Sequence, residues 1–304
     1  MRRLTSALPS KVTRSIRAWS WTTLVVQILI VVTGGAVRLT ASGLGCPTWP
    51  LCTEDSLVST PEMGIHGLIE FGNRLLTFVL VAVAVVTFVL VARLRRSRPE
   101  IFWLALVIGL GIPAQAVIGG ISVLTQLNPY VVGLHFVVSG IMIVLATVLV
   151  ARTYVVNVEP VPNAQRSTLL YRGAVLVACL QTLTVLLGIL VTGSGPHAGD
   201  AEAPRNGLNS ELWQHLHSVP AYAAVVAALA LGVLAWRMRR RDVVRVVTAL
   251  LAVNVLQVVV GLAQANLGLP PILVGLHMFL ACLVISATAW LVLTARTAVA
   301  DLSR

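Results

Sequence analysis

Eight stretches of the chain are almost continuously apolar. They cover roughly residues 20–39, 64–92, 101–124, 130–151, 171–192, 212–236, 246–267 and 271–295. Each has about the 20 apolar residues that a helix needs to cross a bilayer. None is long enough to cross twice, although the second and eighth have length to spare for tilt. The runs are continuous rather than alternating, which disfavours a β-barrel. The pattern predicts an all-α polytopic membrane protein with eight transmembrane helices. Composition narrows it further: 57% of residues are hydrophobic and 11% charged, and the mean hydropathy is +0.91. A soluble domain carries about 25% charged residues, so a soluble, disordered, collagen-like or disulfide-framework protein is excluded. No A-x-A-like site follows the first run, so a cleaved signal peptide is not expected.

The net charge of +11 suggests nucleic acid until its distribution is read. The N-terminus carries Arg2, Arg3, Lys11, Arg14 and Arg17, and the C-terminus Arg296 and Arg304. The polar segments after the second, fourth and sixth runs carry Arg93, Arg95, Arg96 and Arg98, then Arg152, Arg166 and Arg172, then Arg237, Arg239, Arg240, Arg241 and Arg245. With eight spans, 19 of the 22 basic residues fall on one side; Arg38, Arg74 and Arg205 are the exceptions. Positive loops stay cytoplasmic and face anionic lipid. Both termini are therefore expected inside a plasma membrane, with no nucleic-acid partner and the segments 40–63 and 193–211 outside. The first of these holds Cys46 and Cys52, with five residues between them. Disulfides persist outside the membrane, so a small closed loop is feasible, and the Gly, Pro and Trp content favours it over two free thiols.

The two halves repeat. Gln115 to His135 aligns without gaps on Gln257 to His277 at an offset of 142, with nine of 21 positions identical. Gln115/Gln257, Gly119/Gly261, Pro129/Pro271 and the closing Gly-Leu-His are among them. An even number of spans per half makes the repeat parallel. The expected architecture is two pseudo-symmetric four-helix bundles, residues 1–152 and 153–304. A weaker match lays Glu70-Phe-Gly-Asn73 on Gln214-His-Leu-His217, setting Asn73 opposite His217 at an offset of 144.

Four-helix bundles hold cofactors between side chains on facing helices. His217 and His277 fall at similar depth, and two imidazoles across a bundle suit bis-histidine haem ligation. Two satisfied core histidines are the plainer alternative. Zinc lacks a third and fourth ligand at useful spacing. His215 lies about 200° round the helix from His217, and His197 sits in a Gly-rich loop. In the first half, His66, Glu70 and Asn73 share a helix face. Glu70 is the only acidic residue well inside a span. It is either the ion-pair partner of Arg74 one turn away or a proton acceptor beside a haem-sized pocket. Arg38 either snorkels to the interface or meets an anionic group such as a haem propionate.

The run Gly34-Gly-Ala-Val-Arg-Leu-Thr-Ala-Ser-Gly-Leu-Gly-Cys46-Pro-Thr-Trp-Pro-Leu-Cys52 resembles the first-loop motif of the heme A synthase family. Ile69-Glu-Phe-Gly-Asn-Arg74 and the two Gly-Leu-His motifs are similar to that family too. The resemblance covers essentially the whole chain. It implies oxidation of a methyl group of heme O to the formyl group of heme A, used by terminal cytochrome oxidases. It further implies substrate haem in the N-terminal half and a haem b cofactor in the C-terminal half. Carried over by motif, His217 and His277 would ligate haem b, His135 would ligate substrate haem, and Glu70 would be the catalytic carboxylate. His66, Asn73, Arg38 and Arg74 would border the substrate, and Cys46 and Cys52 would form the disulfide found in some members. A heme O synthase and an electron acceptor are the implied partners.

One position departs from the family. The family pattern in the second span is Glu-x-x-His-Arg, and here Asn73 stands at the histidine. His66 lies about 10 Å further out along the helix and cannot take the same coordination point. Either the haem or the helix sits differently, or substrate iron has His135 alone. Two other functions use the same features: a two-haem b electron-transfer protein, which has no need of Glu70, and a transporter, which binds no haem.

Overall fold

A computed structural model describes residues 9–154 and 164–296. Arg2, Arg3, Arg304 and the Arg166 side chain, which entered the charge argument, lie outside the described residues. Eight long helices are present: α1 (Arg14–Leu39), α2 (Gly64–Val91), α3 (Pro99–Leu124), α4 (Pro129–Tyr154), α5 (Ala164–Ser194), α6 (Ser210–Arg237), α7 (Arg241–Asn266) and α8 (Pro271–Arg296). Short 3₁₀ turns at Pro61–Met63 and Ala92–Arg95 flank α2, and the described residues contain no strand. All eight helices are long and apolar enough to cross a membrane. At 1.5 Å per residue even the 26-residue helices reach about 39 Å, beyond a hydrocarbon core of about 30 Å. Phe78, Val226, Val259 and Ile272 are exposed on these helices, an arrangement that suits lipid and not water.

The helices start and stop for local reasons. The Thr13 hydroxyl accepts the Ile16 N–H and caps α1. Proline opens α3, α4 and α8, where its missing N–H has no intrahelical partner to lose. Ala41 and Arg239 adopt left-handed backbone just past α1 and α6. The following amides, Ser42 and Arg240, bond back to Val37 and Ala235, as in a Schellman turn.

The repeat extends beyond the matched sequence. Between α3 and α4, Gln126 and Leu127 are left-handed, and the Leu127 N–H reaches the Ser122 carbonyl at 2.7 Å. Between α7 and α8, Gly268 and Leu269 do the same, with Leu269 reaching Gln264 at 2.8 Å. At the opposite helix ends, Arg98 pairs with Glu100 and donates to the Arg152 carbonyl. Arg240 pairs with Asp242 and donates to the Thr294 carbonyl. Each contact recurs 142 residues on.

The chain divides into two compact units. One runs to Thr153 and includes Ile189–Ser210; the other comprises Tyr154–Gly188 and the chain from Glu211. In the first, the Thr23 and Thr87 hydroxyls bond across α1 and α2 at 3.0 Å. The segment 189–210 is held there by Leu127, Ala198 and Ala203, which pack together, and by the Gly43 N–H, which donates to the Gly199 carbonyl. In the second, Leu170, Leu231, Val243, Leu250 and Leu291 belong to one buried cluster. Gln181 donates to the Asn254 amide oxygen at 2.9 Å between α5 and α7. Buried polar pairs of this kind link helices where lipid offers no alternative partner.

Candidate functional site

In the second unit, His217 on α6 and His277 on α8 face one another. Their ring centroids are 6.3 Å apart and the planes meet at 69°. The His217 Nδ1–H donates to the Thr184 carbonyl at 2.9 Å, which leaves Nε2 as the ring's lone-pair nitrogen. Glycine makes room for each ring. A Cβ on Gly188 of α5 would lie 2.9 Å from His217 Cε1, and one on Gly261 of α7 would lie 3.1 Å from His277 Cε1. Behind His277, the Gln257 amide donates to its carbonyl at 3.1 Å.

This pair fits a haem iron. An imidazole nitrogen binds a first-row metal at about 2 Å, so two rings on opposite sides of one ion have centroids roughly 6 Å apart. The glycine cradles are what such a site needs, because any side chain there would push a ring off its axis. His215 is exposed on the same helix, away from this pair.

The first unit repeats half of this arrangement. His135 on α4 lies against Gly119 of α3, whose Cβ would come within 2.9 Å of its Cε1. The Gln115 amide donates to the His135 carbonyl at 3.3 Å and to the Ser139 hydroxyl. On α2, Asn73 lies in front of Gly34 of α1, where a Cβ would come 3.9 Å from its Nδ2, and its amide oxygen is buried without a hydrogen-bond partner. His66 is exposed, and its Nδ1 pairs with the Ser42 hydroxyl at 2.9 Å.

Glu70 is 6% exposed and doubly engaged. One oxygen pairs with Arg74 at 2.6 Å, and the other accepts the Cys46 N–H at 2.6 Å. Arg74 also donates to the carbonyls of Cys46, Thr48 and Leu51. Two charges one helical turn apart thus anchor the segment closed by the Cys46–Cys52 disulfide, whose sulfurs are fully buried. Gly45 lies so close to the start of α2 that a Cβ would sit 2.3 Å from the His66 carbonyl oxygen. The Trp49 indole lies on Gly120 of α3, where a Cβ would come within 2.3 Å of the ring. Arg38 donates from Nε to the His197 carbonyl at 2.5 Å and from Nη2 to the Thr192 carbonyl at 2.8 Å, so it staples 189–210 to α1.

The structure therefore brings together His217 with His277, and Glu70 and Arg74 with the disulfide loop, while His135 lies on Gly119, Asn73 by Gly34, His66 on Ser42, and Arg38 on the 189–210 segment. Sequence reasoning missed Gly188, Thr184, Trp49 and Gly120. Gly119 and Gly261 were visible as identities within the repeat, and their register with the histidines was the available signal.

Eight membrane-crossing helices with imidazoles paired between them define a multi-pass membrane protein with a polar site inside its helical layer. The sequence profile of the COX15-CtaA family, cytochrome oxidase assembly protein, matches residues 17–289, and the chain belongs to this family. Among its relatives is a protein named heme A synthase from Geobacillus thermodenitrificans, 34% identical over 127 residues, covering 41% of this chain and 39% of that one. Another of the same name, from Geobacillus kaustophilus, is 33% identical over 122 residues, or 40% and 38% of the two chains. A third, from Listeria welshimeri, is 30% identical over 129 residues, 41% of each chain. The matched region spans about two-fifths of the length of these curated relatives.

Proposed function

We propose that this protein is a heme A synthase: it oxidises a methyl group of heme O to the formyl group of heme A. The observation that carries the reading is the His217–His277 pair, set at a haem-ligand separation in glycine cradles in a chain of this family. The second unit is the cofactor half and the first the substrate half. His217 and His277 hold haem b, which when bound supplies one-electron transfer.

Within the first unit, His135 binds the iron of heme O, and Gly119 and Gln115 fix the direction of its ring. Glu70 is the proton acceptor. Written with water as the oxygen donor, turning the methyl group into an aldehyde (R–CH3 + H2O → R–CHO + 4 H+ + 4 e−) releases its protons and electrons at one carbon in successive steps, and a carboxylate beside that carbon takes the protons. Arg74 and the Cys46 amide hold the carboxylate in place and stabilise its charge in a low-dielectric site. Arg38 holds the polar segment 189–210 over the same unit. The electrons leave through an acceptor outside the chain, and a heme O synthase supplies the substrate. The charge asymmetry supports an orientation with both termini cytoplasmic, and the protein is read as a plasma-membrane enzyme.

The test is haem extraction from cells that make heme O. The expected product is heme A from wild type and heme O or a hydroxylated intermediate from Glu70→Gln. Unchanged heme O from a well-expressed wild type contradicts the reading and favours an electron-transfer protein.

A further inference from the structure

We infer that the first unit holds the iron of heme O through a single protein ligand, His135, and that the side facing Asn73 stays open to small exogenous ligands. The inference rests on the substrate reading above and states how that site differs from the cofactor site.

Ring positions in the two units obey one rule. Each ligand-type side chain lies against a glycine of the neighbouring helix: His277 on Gly261, His217 on Gly188 and His135 on Gly119. The fourth position follows it as well, with Gly34 in front of Asn73. Asn73 therefore occupies the place that His217 has in the second unit, as the alignment at offset 144 also gives. The cradle is kept while the ring is absent. A Cβ on Gly188 would clash with His217 at 2.9 Å, whereas a Cβ on Gly34 would meet Asn73 Nδ2 only at 3.9 Å, so the smaller amide leaves slack.

Asparagine does not replace histidine at iron. Imidazole nitrogen is the donor suited to haem, and a neutral amide oxygen is weak. The Asn73 oxygen is nevertheless buried with no hydrogen-bond partner. A buried acceptor without a partner is unfavourable, so the site favours a guest that donates a hydrogen bond to it. His66 does not fill the vacancy in the ligand set. It lies two turns nearer the disulfide loop, about 10 Å along the axis, and its Nδ1 is tied to Ser42. Glu70, on the same face, is held by Arg74 and the Cys46 amide. No other ligand-type side chain shares this face of α2.

Carbon monoxide is the probe. Purified wild-type protein loaded with both haems, made in cells that supply heme O, is reduced and titrated with the gas. Half of the haem should bind it, and the other half should keep a low-spin six-coordinate spectrum. Asn73→His should restore a second imidazole, turn all the haem low-spin and abolish binding. Asn73→Leu, which cannot ligate, should leave the CO-binding fraction unchanged, and it keeps the test open if the histidine variant misfolds. A chain with two haems, both low-spin and neither binding carbon monoxide, overturns the inference while leaving the substrate reading intact. A chain that holds only one haem when heme O is supplied overturns both.

Discussion

Helices α3 and α4 and helices α7 and α8 are two versions of one device, whereas α1–α2 and α5–α6 have diverged. In both versions a proline opens the second helix, a left-handed pair turns the chain, an arginine caps the far end, and a glycine seats a histidine. The divergence lies in what surrounds that histidine. The second unit offers it a partner imidazole. The first has an asparagine at the position aligned with that imidazole, and carries an anchored carboxylate and a disulfide-closed segment resting on Gly120, a position that is Leu262 in the repeat. In the proposed reading, a frame held constant and a lining changed separate a permanent cofactor site from a site for chemistry.

The comparison breaks most sharply at the histidine pair. His217→Ala or His277→Ala should remove the low-spin haem of the second unit, read in the reduced absorption spectrum. A spectrum unchanged in both single variants would show that the pair holds no haem. Glu70→Gln comes next. Arg74 keeps three backbone carbonyl partners, so the variant should fold and retain its low-spin haem while heme A formation falls by at least the 10²-fold typical of a lost acid–base group. If it loses haem and expression together, the carboxylate is structural.

Smaller effects sharpen the same contrast. Gly120→Leu gives α3 the residue that α7 carries, and it should displace Trp49 and loosen the disulfide segment. Overpacking of this kind is unfavourable by about 1–3 kcal/mol. Faster reduction of Cys46–Cys52 by a mild thiol, with the second unit's spectrum intact, is the expected result. Asn254→Ile gives α7 the residue found at Ile112 and removes the Gln181 bond. A destabilisation of about 0.6–2 kcal/mol is expected, measured by unfolding in detergent.

The sequence was most readable where one force dominates. Burial in lipid marked all eight spans, and the run at 64–92 matches Gly64–Val91 almost to the residue. It was less readable at helix ends. The first run starts near residue 20 by hydropathy, yet α1 starts at Arg14, because Thr13 caps it and a helix continues past the apolar layer. The fifth run begins near 171 and α5 at Ala164 for a similar reason: hydropathy marks lipid contact, not backbone conformation. In the site, Glu70 and Arg74 could be paired from their i, i+4 spacing. Their bonds to Cys46, Thr48 and Leu51 could not, since those depend on where a loop without periodicity returns. Arg38 was assigned between lipid interface and anionic ligand, and neither alternative anticipated that it grips two carbonyls some 150 residues away in sequence.

The division of labour between the two units is tested most directly by His135→Ala, the counterpart of His277→Ala at 142 residues' remove. The reduced absorption spectrum and the extracted haem are measured on the same purified protein. The account predicts that His135→Ala retains the low-spin haem of the second unit and makes no heme A. A His135→Ala protein that loses the low-spin spectrum, or that still produces heme A at the wild-type level, would contradict it.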